Sequence, residues 1–145
     1  MATKKALVTQ IQGISFAGKT DSNHWVVMDG PAEFGGSDAG IRPKELVLLA
    51  LAGCTGSDVV TILRKKRASF DRLDIRVTAE QAEEHPQVFT SIHLEFLFHG
   101  DDLRPADVER AIELSETKYC AVNAMLRGSV TITRSYTIQP ARMPA

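Results

Sequence analysis

Two cysteines are the residues of this sequence with the most distinctive chemistry. Cys54 lies in the run Ala52-Gly53-Cys54-Thr55-Gly56, Cys120 lies in the run 118–123, and the chain of 145 residues contains only these two cysteines. Thiols so far apart in sequence can form a disulfide, act as a redox pair or be two unrelated core residues. The residues alone leave these three interpretations open.

The acidity of each thiol depends on its place in a helix, because only the thiolate is a good nucleophile. Cys120 is expected at the start of a helix, where the unpaired backbone N–H groups favour an anion. Cys54 is expected in mid-helix without that help. Its face also carries Ser57, whose hydroxyl would favour the thiolate, and Asp58, whose charge would oppose it. Local reasoning therefore predicts that Cys120 is the more acidic thiol.

Other chemistry finds less support in the sequence. A metal site is not expected, because the cysteines are isolated and the four histidines lack paired ligand spacing. The four histidines are His24, His85, His93 and His99. Of these, His93 and His99 are expected at the surface, on the polar face of a strand. The glycine-x-serine-x-glycine run of many serine hydrolases does not occur.

Composition describes an ordinary globular protein, with 43% hydrophobic and 24% charged residues. We expect a single domain over residues 1–145. The net charge of -1 argues against nucleic acid or an anionic membrane as the partner. The N-terminal residues lack the pattern of a secretory signal, so we expect a cytoplasmic protein whose cysteines are reduced or redox-active.

The elements that must position the thiols follow from the hydrophobic pattern. Strands are predicted over 6–16 and 24–28 with a turn at 18–23, followed by a glycine-rich loop and a helix over 44–66. The remaining elements are two alternating strands that pair around 84–87, two helices and a final strand (73–78, 88–98, 105–117, 120–126 and 130–138). The order β-β-α-β-β-α-α-β indicates one α+β domain.

The long helix has two features that predict close neighbours. Residues 46–52 are apolar on every side, so this half must be wrapped by other structure. Gly53 and Gly56 each cost about 1 kcal/mol relative to alanine inside a helix. Their presence predicts a close approach beside Cys54, most simply by a second helix from the same chain or from a twin subunit.

The motifs around the cysteines resemble those of one family. Gly35-Gly36, the helix start at 42–46, the run 49–54 that ends in Cys54, and Tyr119-Cys120-Ala121-Val122 together resemble the OsmC/Ohr family of osmotically induced and organic hydroperoxide resistance proteins. The resemblance covers nearly the whole chain, and the family's element order agrees with the predicted one. Several details, among them Asp58-Val59-Val60 after the cysteine, are closer to the OsmC-like branch.

The resemblance implies a fold and an activity. Members are intertwined homodimers in which strands of both chains wrap long central helices and the cysteine sites lie at the subunit interface. In the peroxidase members the helix cysteine attacks the peroxide and the second cysteine resolves it. This implies that Cys54 is peroxidatic and Cys120 is resolving, that no organic or metal cofactor is needed, and that a thiol reductant or a lipoylated protein closes the cycle.

This chain also differs from the peroxidase members at the helix start. Those members carry a glutamate directly after the proline and an arginine from the first hairpin. Here Lys44 follows Pro43, Glu45 is expected to point away from Cys54, and Lys19 is the nearest match to the arginine. The alternative function is a non-catalytic, dimeric, stress-associated protein that binds a small apolar ligand at its interface and whose cysteines are structural.

Overall fold

The structure is a computed structural model that describes residues 1–141, and it has the predicted α+β class. It contains six strands and three α-helices: β1 (Ala6–Gln12), β2 (Ser15–Thr20), β3 (Trp25–Met28), α1 (Glu45–Lys65), β4 (Arg72–Gln81), β5 (Phe89–His99), α2 (Pro105–Leu114), α3 (Ala121–Leu126) and β6 (Thr131–Gln139). The chain divides into two compact units: the first unit ends at Val47 and the second unit begins at Leu48.

The first unit contains an antiparallel sheet in the order β1-β2-β3. The single strand predicted over 6–16 is wrong, because the chain reverses at Gly13 and forms two strands. Gly13 has a φ of +54°, a left-handed conformation that glycine adopts without steric cost. Gly18, Lys19 and Thr20, predicted as a turn, belong instead to β2. The element order therefore gains one strand before α1.

The glycine-rich connector is an ordered loop built around the carboxylate of Asp29. This carboxylate is buried and accepts hydrogen bonds from the backbone N–H groups of Gly30, Ser37 and Ala39. Burial by itself acts to raise the pKa of Asp29, but these bonds and one from the Ser15 side chain hold the pKa below its ordinary value. The loop thus obtains its shape from a buried anion.

The second unit contains the main hydrophobic core. Strands β4 and β5 are antiparallel, as predicted, whereas β5 and β6 are parallel. The predicted alternation along β5 is confirmed, because its apolar residues are buried at every second position (Ile92, Leu94, Phe96 and Phe98). These side chains pack in one cluster with residues of α1 and α2.

Helix α1 confirms the prediction over 44–66 to within one residue at each end. One stripe of the helix is buried at a spacing of four residues (Leu51, Thr55, Val59 and Leu63). Leu49, in the half expected to be wrapped, is 56% exposed. By length and composition α1 is also apolar enough to cross a membrane, a test that the core helix of a soluble protein passes equally well.

The segment that carries Cys120 begins at the end of α2. The predicted helix over 105–117 ends earlier as an α-helix and widens into a π-helical turn, Ser115–Tyr119. The backbone N–H of Cys120 donates to the carbonyl oxygen of Ser115 at 2.8 Å and closes this turn. The turn therefore fixes where Cys120 stands before α3 begins.

The two strand histidines have different surroundings. His99, expected at the surface, is only 8% exposed, so that expectation is wrong. The end of β5 is covered on both faces, and Nε2 of His99 lies 3.8 Å from a carboxylate oxygen of Asp74. His93 is half-buried, and its ring nitrogens form hydrogen bonds with the hydroxyl groups of Thr133 and Ser135 on β6.

Candidate functional site

The two cysteines meet in the second unit, together with one carboxylate. The sulfur atoms of Cys54 and Cys120 and a carboxylate oxygen of Asp58 all lie within 4.8 Å of one another. Cys54 and Asp58 lie one turn apart on α1, and Cys120 is the N-cap residue of α3. Both thiols are free. The two cysteines, distant in sequence, are therefore neighbours in space.

Cys120 occupies the helix N-cap that the sequence predicted. It is 3% exposed, and its sulfur accepts a hydrogen bond from the backbone N–H of Asn123 at 3.4 Å. The hydroxyl oxygen of Thr55 lies 3.4 Å from the same sulfur. Thr55 is buried on α1 directly after Cys54, so this helix contacts Cys120 through two successive residues.

The predicted acidity of Cys120 is wrong, because burial outweighs the helix start. Removal from water raises the pKa of the Cys120 thiol above its ordinary value, and the neighbouring Cys54 thiol raises it further. The hydrogen bonds with Thr55 and Asn123 act in the opposite direction and only partly compensate. In the resting protein Cys120 is therefore a protonated, shielded thiol.

Cys54 is half-buried and thus more accessible than Cys120. The hydroxyl of Ser57, which the sequence suggested as a donor to this thiol, donates instead to the carbonyl oxygen of Gly53 at 2.8 Å. Serine in a helix commonly bonds to the carbonyl four residues earlier, and this uses its only proton. The role suggested for Ser57 is therefore not fulfilled in the structure.

Asp58 is held by the π-helical turn. The buried hydroxyl of Ser115 donates to Oδ2 of Asp58 at 2.9 Å, which leaves Oδ1 outside this bond. Asp58 also borders a cavity of about 330 Å³ whose wall is partly apolar and partly basic (Thr61, Ile62, Lys65, Lys66, Leu114 and Tyr119). The carboxylate therefore contacts the region of the sulfur atoms and also lines this cavity, whose wall does not include either cysteine.

The two glycines beside Cys54 have different neighbours. A Cβ atom on Gly56 would lie 3.0 Å from Cδ1 of Ile75, so the close neighbour here is strand β4 and not a second helix. A Cβ atom on Gly53 would have nothing within 4 Å. The predicted approach of another helix is thus wrong at Gly56. At Gly53, a twin subunit stays a prediction.

Lys19 and Glu45, which were compared with the arginine and glutamate of the peroxidase members, have partners near the start of the chain, and so does the neighbouring Arg42. The guanidinium of Arg42 pairs with Asp38 at 2.7 Å, and the ammonium of Lys19 bonds to the side chain of Asn23 at 3.3 Å. The carboxylate of Glu45 accepts a hydrogen bond from the backbone N–H of Arg42, as in a capping box. Glu45 therefore helps to begin α1.

The fold and the site define a class of protein. It is an α+β chain with one free thiol on a long helix and a second free thiol, close to the first, at the N-cap of a later helix. A family model described as OsmC-like protein matches residues 35–135. The chain belongs to this family, and the resemblance seen in the sequence motifs is confirmed.

Individual relatives agree with this assignment. Protein YhfA of Escherichia coli K12 is 41% identical over 137 residues, which cover 94% of this chain and 99% of that protein. A hypothetical protein from Aquifex aeolicus is similar in structure, with a TM-score of 0.86, 27% identity, and coverage of 98% of this chain and all of the other. An organic hydroperoxide resistance protein OsmC from Legionella pneumophila shares the fold, with a TM-score of 0.68, 17% identity, and coverage of 94% and 98%.

Proposed function

We propose that this chain is a thiol-dependent peroxidase that reduces organic or hydrogen peroxides in oxidative-stress defence. The observation that carries the proposal is that the sulfur atoms of Cys54 and Cys120 lie within 4.8 Å of each other while both are free. A disulfide needs its sulfur atoms about 2 Å apart, so modest side-chain and backbone movement would close the bond.

The difference in burial supports distinct roles for the two thiols. A peroxide arriving from solvent meets the half-buried Cys54 before the 3%-exposed Cys120. The Cys54 thiolate attacks one peroxide oxygen, the O–O bond breaks, and the alkoxide or hydroxide that leaves takes up a proton. Cys54 becomes a sulfenic acid, and an alcohol or water is released.

The second step uses the shielded thiol. Cys120 loses its proton and attacks the sulfur of the sulfenic acid at Cys54. A disulfide forms, and the sulfenic hydroxyl leaves with a proton as water. Either two molecules of a small thiol or one lipoylated protein in its dithiol form then returns two electrons and two protons through thiol–disulfide exchange. The cycle requires no cofactor.

Two further observations are consistent with this activity. A cavity of about 330 Å³ is within the size range of small-molecule pockets, and Asp58 in its wall reaches both sulfur atoms within 4.8 Å. Structural relatives include organic hydroperoxide resistance proteins from Legionella pneumophila and Elizabethkingia anophelis. Their sequence identity of 17% carries the fold alone.

The direct test follows peroxide consumption against thiol loss in the reduced protein. We expect Cys54→Ser to consume no peroxide, and Cys120→Ser to consume one equivalent and then stop as a sulfenic acid. The Ser57→Ala variant serves as a control next to Cys54, and it should behave as the natural chain does. Turnover in the Cys54→Ser protein would overturn the proposal, and a protein inert in every form would favour the ligand-binding alternative.

We also propose that the protein is a cytoplasmic homodimer organised as a single domain in each chain. Sheet β1-β2-β3 exposes many apolar side chains (Leu7, Val8, Ile11, Trp25, Val26 and Val27), and so does α1 at Leu49. Exposed apolar side chains in such number on one small sheet are typical of a protein interface.

The oligomeric state is measurable by sedimentation of the full chain. We expect a dimer for the natural sequence and a shift toward monomer for Val26→Lys, whose cation would face the interface. Thr9→Lys, at a position on β1 that is also exposed, tests whether charge alone has this effect. A natural chain that sediments as a monomer at all concentrations would contradict the dimer.

A further inference from the structure

We propose that Cys54, Asp58 and Cys120, in their reduced state, form a site for one Zn²⁺ ion, with two thiolate ligands and one carboxylate ligand. The sequence did not predict a metal site, because its ligands come from two distant segments. The fold brings them together. This inference does not depend on peroxidase activity.

The separations suit a tetrahedral ion. Zn–S bonds of about 2.3 Å and Zn–O bonds of about 2.0 to 2.2 Å place ligand atoms roughly 3.5 to 3.8 Å apart around zinc. The three ligand atoms already lie within 4.8 Å of one another. Small side-chain rotations would therefore complete the coordination, and one position would remain for water.

The backbone presents the ligands as a chelate. Cys54 and Asp58 project from the same face of α1 at a spacing of four residues, which is also the spacing of paired ligands in helical zinc sites. Cys120 is fixed between the π-helical turn and α3 by its N–H bond to the carbonyl of Ser115. The site thus joins two rigid elements.

The surroundings of the ligands resemble the supports that metal sites use. The hydroxyl of Ser115 donates to Oδ2 of Asp58, and this bond leaves Oδ1 available as a ligand atom. The backbone N–H of Asn123 donates to the sulfur of Cys120. Hydrogen bonds to ligand atoms orient them and hold their charge, and they contribute to metal affinity.

The chemistry of the donors selects the ion. Zinc replaces both thiol protons, which go to solvent, and the three anionic ligands then surround a divalent charge. Thiolate sulfur favours zinc over magnesium or calcium, which prefer oxygen.

Zinc binding and disulfide formation exclude each other, because both use the electron pairs of the same sulfur atoms. A peroxide that oxidises the two thiols to a disulfide would release the ion. Conversely, bound zinc would protect the reduced pair. The site would therefore couple the redox state of the protein to the zinc it holds.

The test is an equilibrium titration of the reduced full-length chain with Zn²⁺, without oxygen or peroxide, against a chromogenic chelator. We expect one zinc per chain. Cys54→Ser and Cys120→Ser should lose stoichiometric binding, and Asp58→Asn should bind at least about 10-fold more weakly. Ser115→Ala, which keeps all three ligands, should weaken binding by about 10-fold.

The matched control is Asp102→Asn, the same chemical change on an exposed loop aspartate, which should bind as the natural chain does. Co²⁺ provides a second readout in the natural chain, through thiolate-to-cobalt charge-transfer absorption that indicates sulfur coordination. Circular dichroism checks that each variant is folded. Absence of stoichiometric zinc, or zinc affinity that Asp58→Asn leaves unchanged, would overturn the site, whatever the protein does to peroxides.

Discussion

The segments that carry Cys54 and Cys120 differ in burial, and this difference reverses the expectation that the thiol at a helix start has the lower pKa. Cys120 caps a helix and accepts a backbone N–H bond, yet its pKa is raised, because the residue is buried. Cys54 lies in mid-helix and has no such bond from a cap, yet it is the more accessible thiol. The comparison teaches that exposure distinguishes the two thiols, and that the helix start at Cys120 does not compensate for removal from water.

The largest expected effect is the difference in alkylation rate between the two thiols of the reduced protein. We expect iodoacetamide to label Cys54 at least about tenfold faster than Cys120, because Cys120 is both shielded and held protonated. Peptide mapping after timed labelling measures the two rates. Equal rates, or faster labelling of Cys120, would remove the basis for their assigned roles.

A smaller effect is expected when Thr55 is changed to valine, which has a similar shape. The hydroxyl of Thr55 contacts the Cys120 sulfur at 3.4 Å and lowers the pKa of that thiol. Loss of a hydrogen bond worth about 1 kcal/mol should slow Cys120 alkylation by about fivefold.

Labelling of Cys54 provides the internal reference for this variant. If Thr55→Val slowed both thiols equally, the change would reflect a general alteration of α1 and not the contact with Cys120.

The glycines that flank Cys54 provide a matched pair of stability tests. Gly53→Ala has open space and should stabilise the fold by up to about 1 kcal/mol through helix propensity. Gly56→Ala gains the same propensity but places its Cβ 3.0 Å from Ile75, so it should be less stable than Gly53→Ala. Urea unfolding measures both changes.

The same pair also probes the proposed subunit interface. If Gly53→Ala destabilised the protein and weakened the dimer in sedimentation, a partner subunit would approach at that position. If both variants had the same stability, the close contact with Ile75 would carry no energetic consequence.

The smallest expected effect is on the pH dependence of stability. The folded state holds the Cys120 proton more tightly than the unfolded chain, whose thiol titrates near its ordinary value of 9.0. The resulting stabilisation is complete below that pH and is lost as the pH rises through the higher pKa of the folded protein. Comparing unfolding of the natural chain and Cys120→Ala across this range should show the extra loss only in the natural chain.

Much of the fold was predictable because its signals are local. The alternation along β5 and the proline before α1 each indicated an element that the structure contains. The first strand was mispredicted because one residue, Gly13, reverses a segment whose composition otherwise suits a continuous strand. The burial of His99 depends on what covers the end of β5, which the strand's own sequence does not encode.

The candidate site was only partly predictable for a related reason. Sequence motifs identified both cysteines and the cap at Cys120, since these depend on nearby residues. The contact of Thr55 with Cys120 joins segments 65 positions apart, and the bond from Ser115 to Asp58 joins segments 57 positions apart. Helical spacing placed Asp58 beside Cys54, but its approach to Cys120 required the packing of α1 against the π-helical turn.

The central claim is that Cys54 and Cys120 of one chain act as a pair, and the most direct measurement is disulfide mapping. The reduced protein is treated with one equivalent of organic hydroperoxide, the remaining thiols are blocked, and peptides are identified by mass spectrometry. The account predicts rapid formation of a disulfide between Cys54 and Cys120 within a single chain. Persistence of both free thiols, or oxidation of Cys54 to a sulfinic acid without the disulfide, would contradict it.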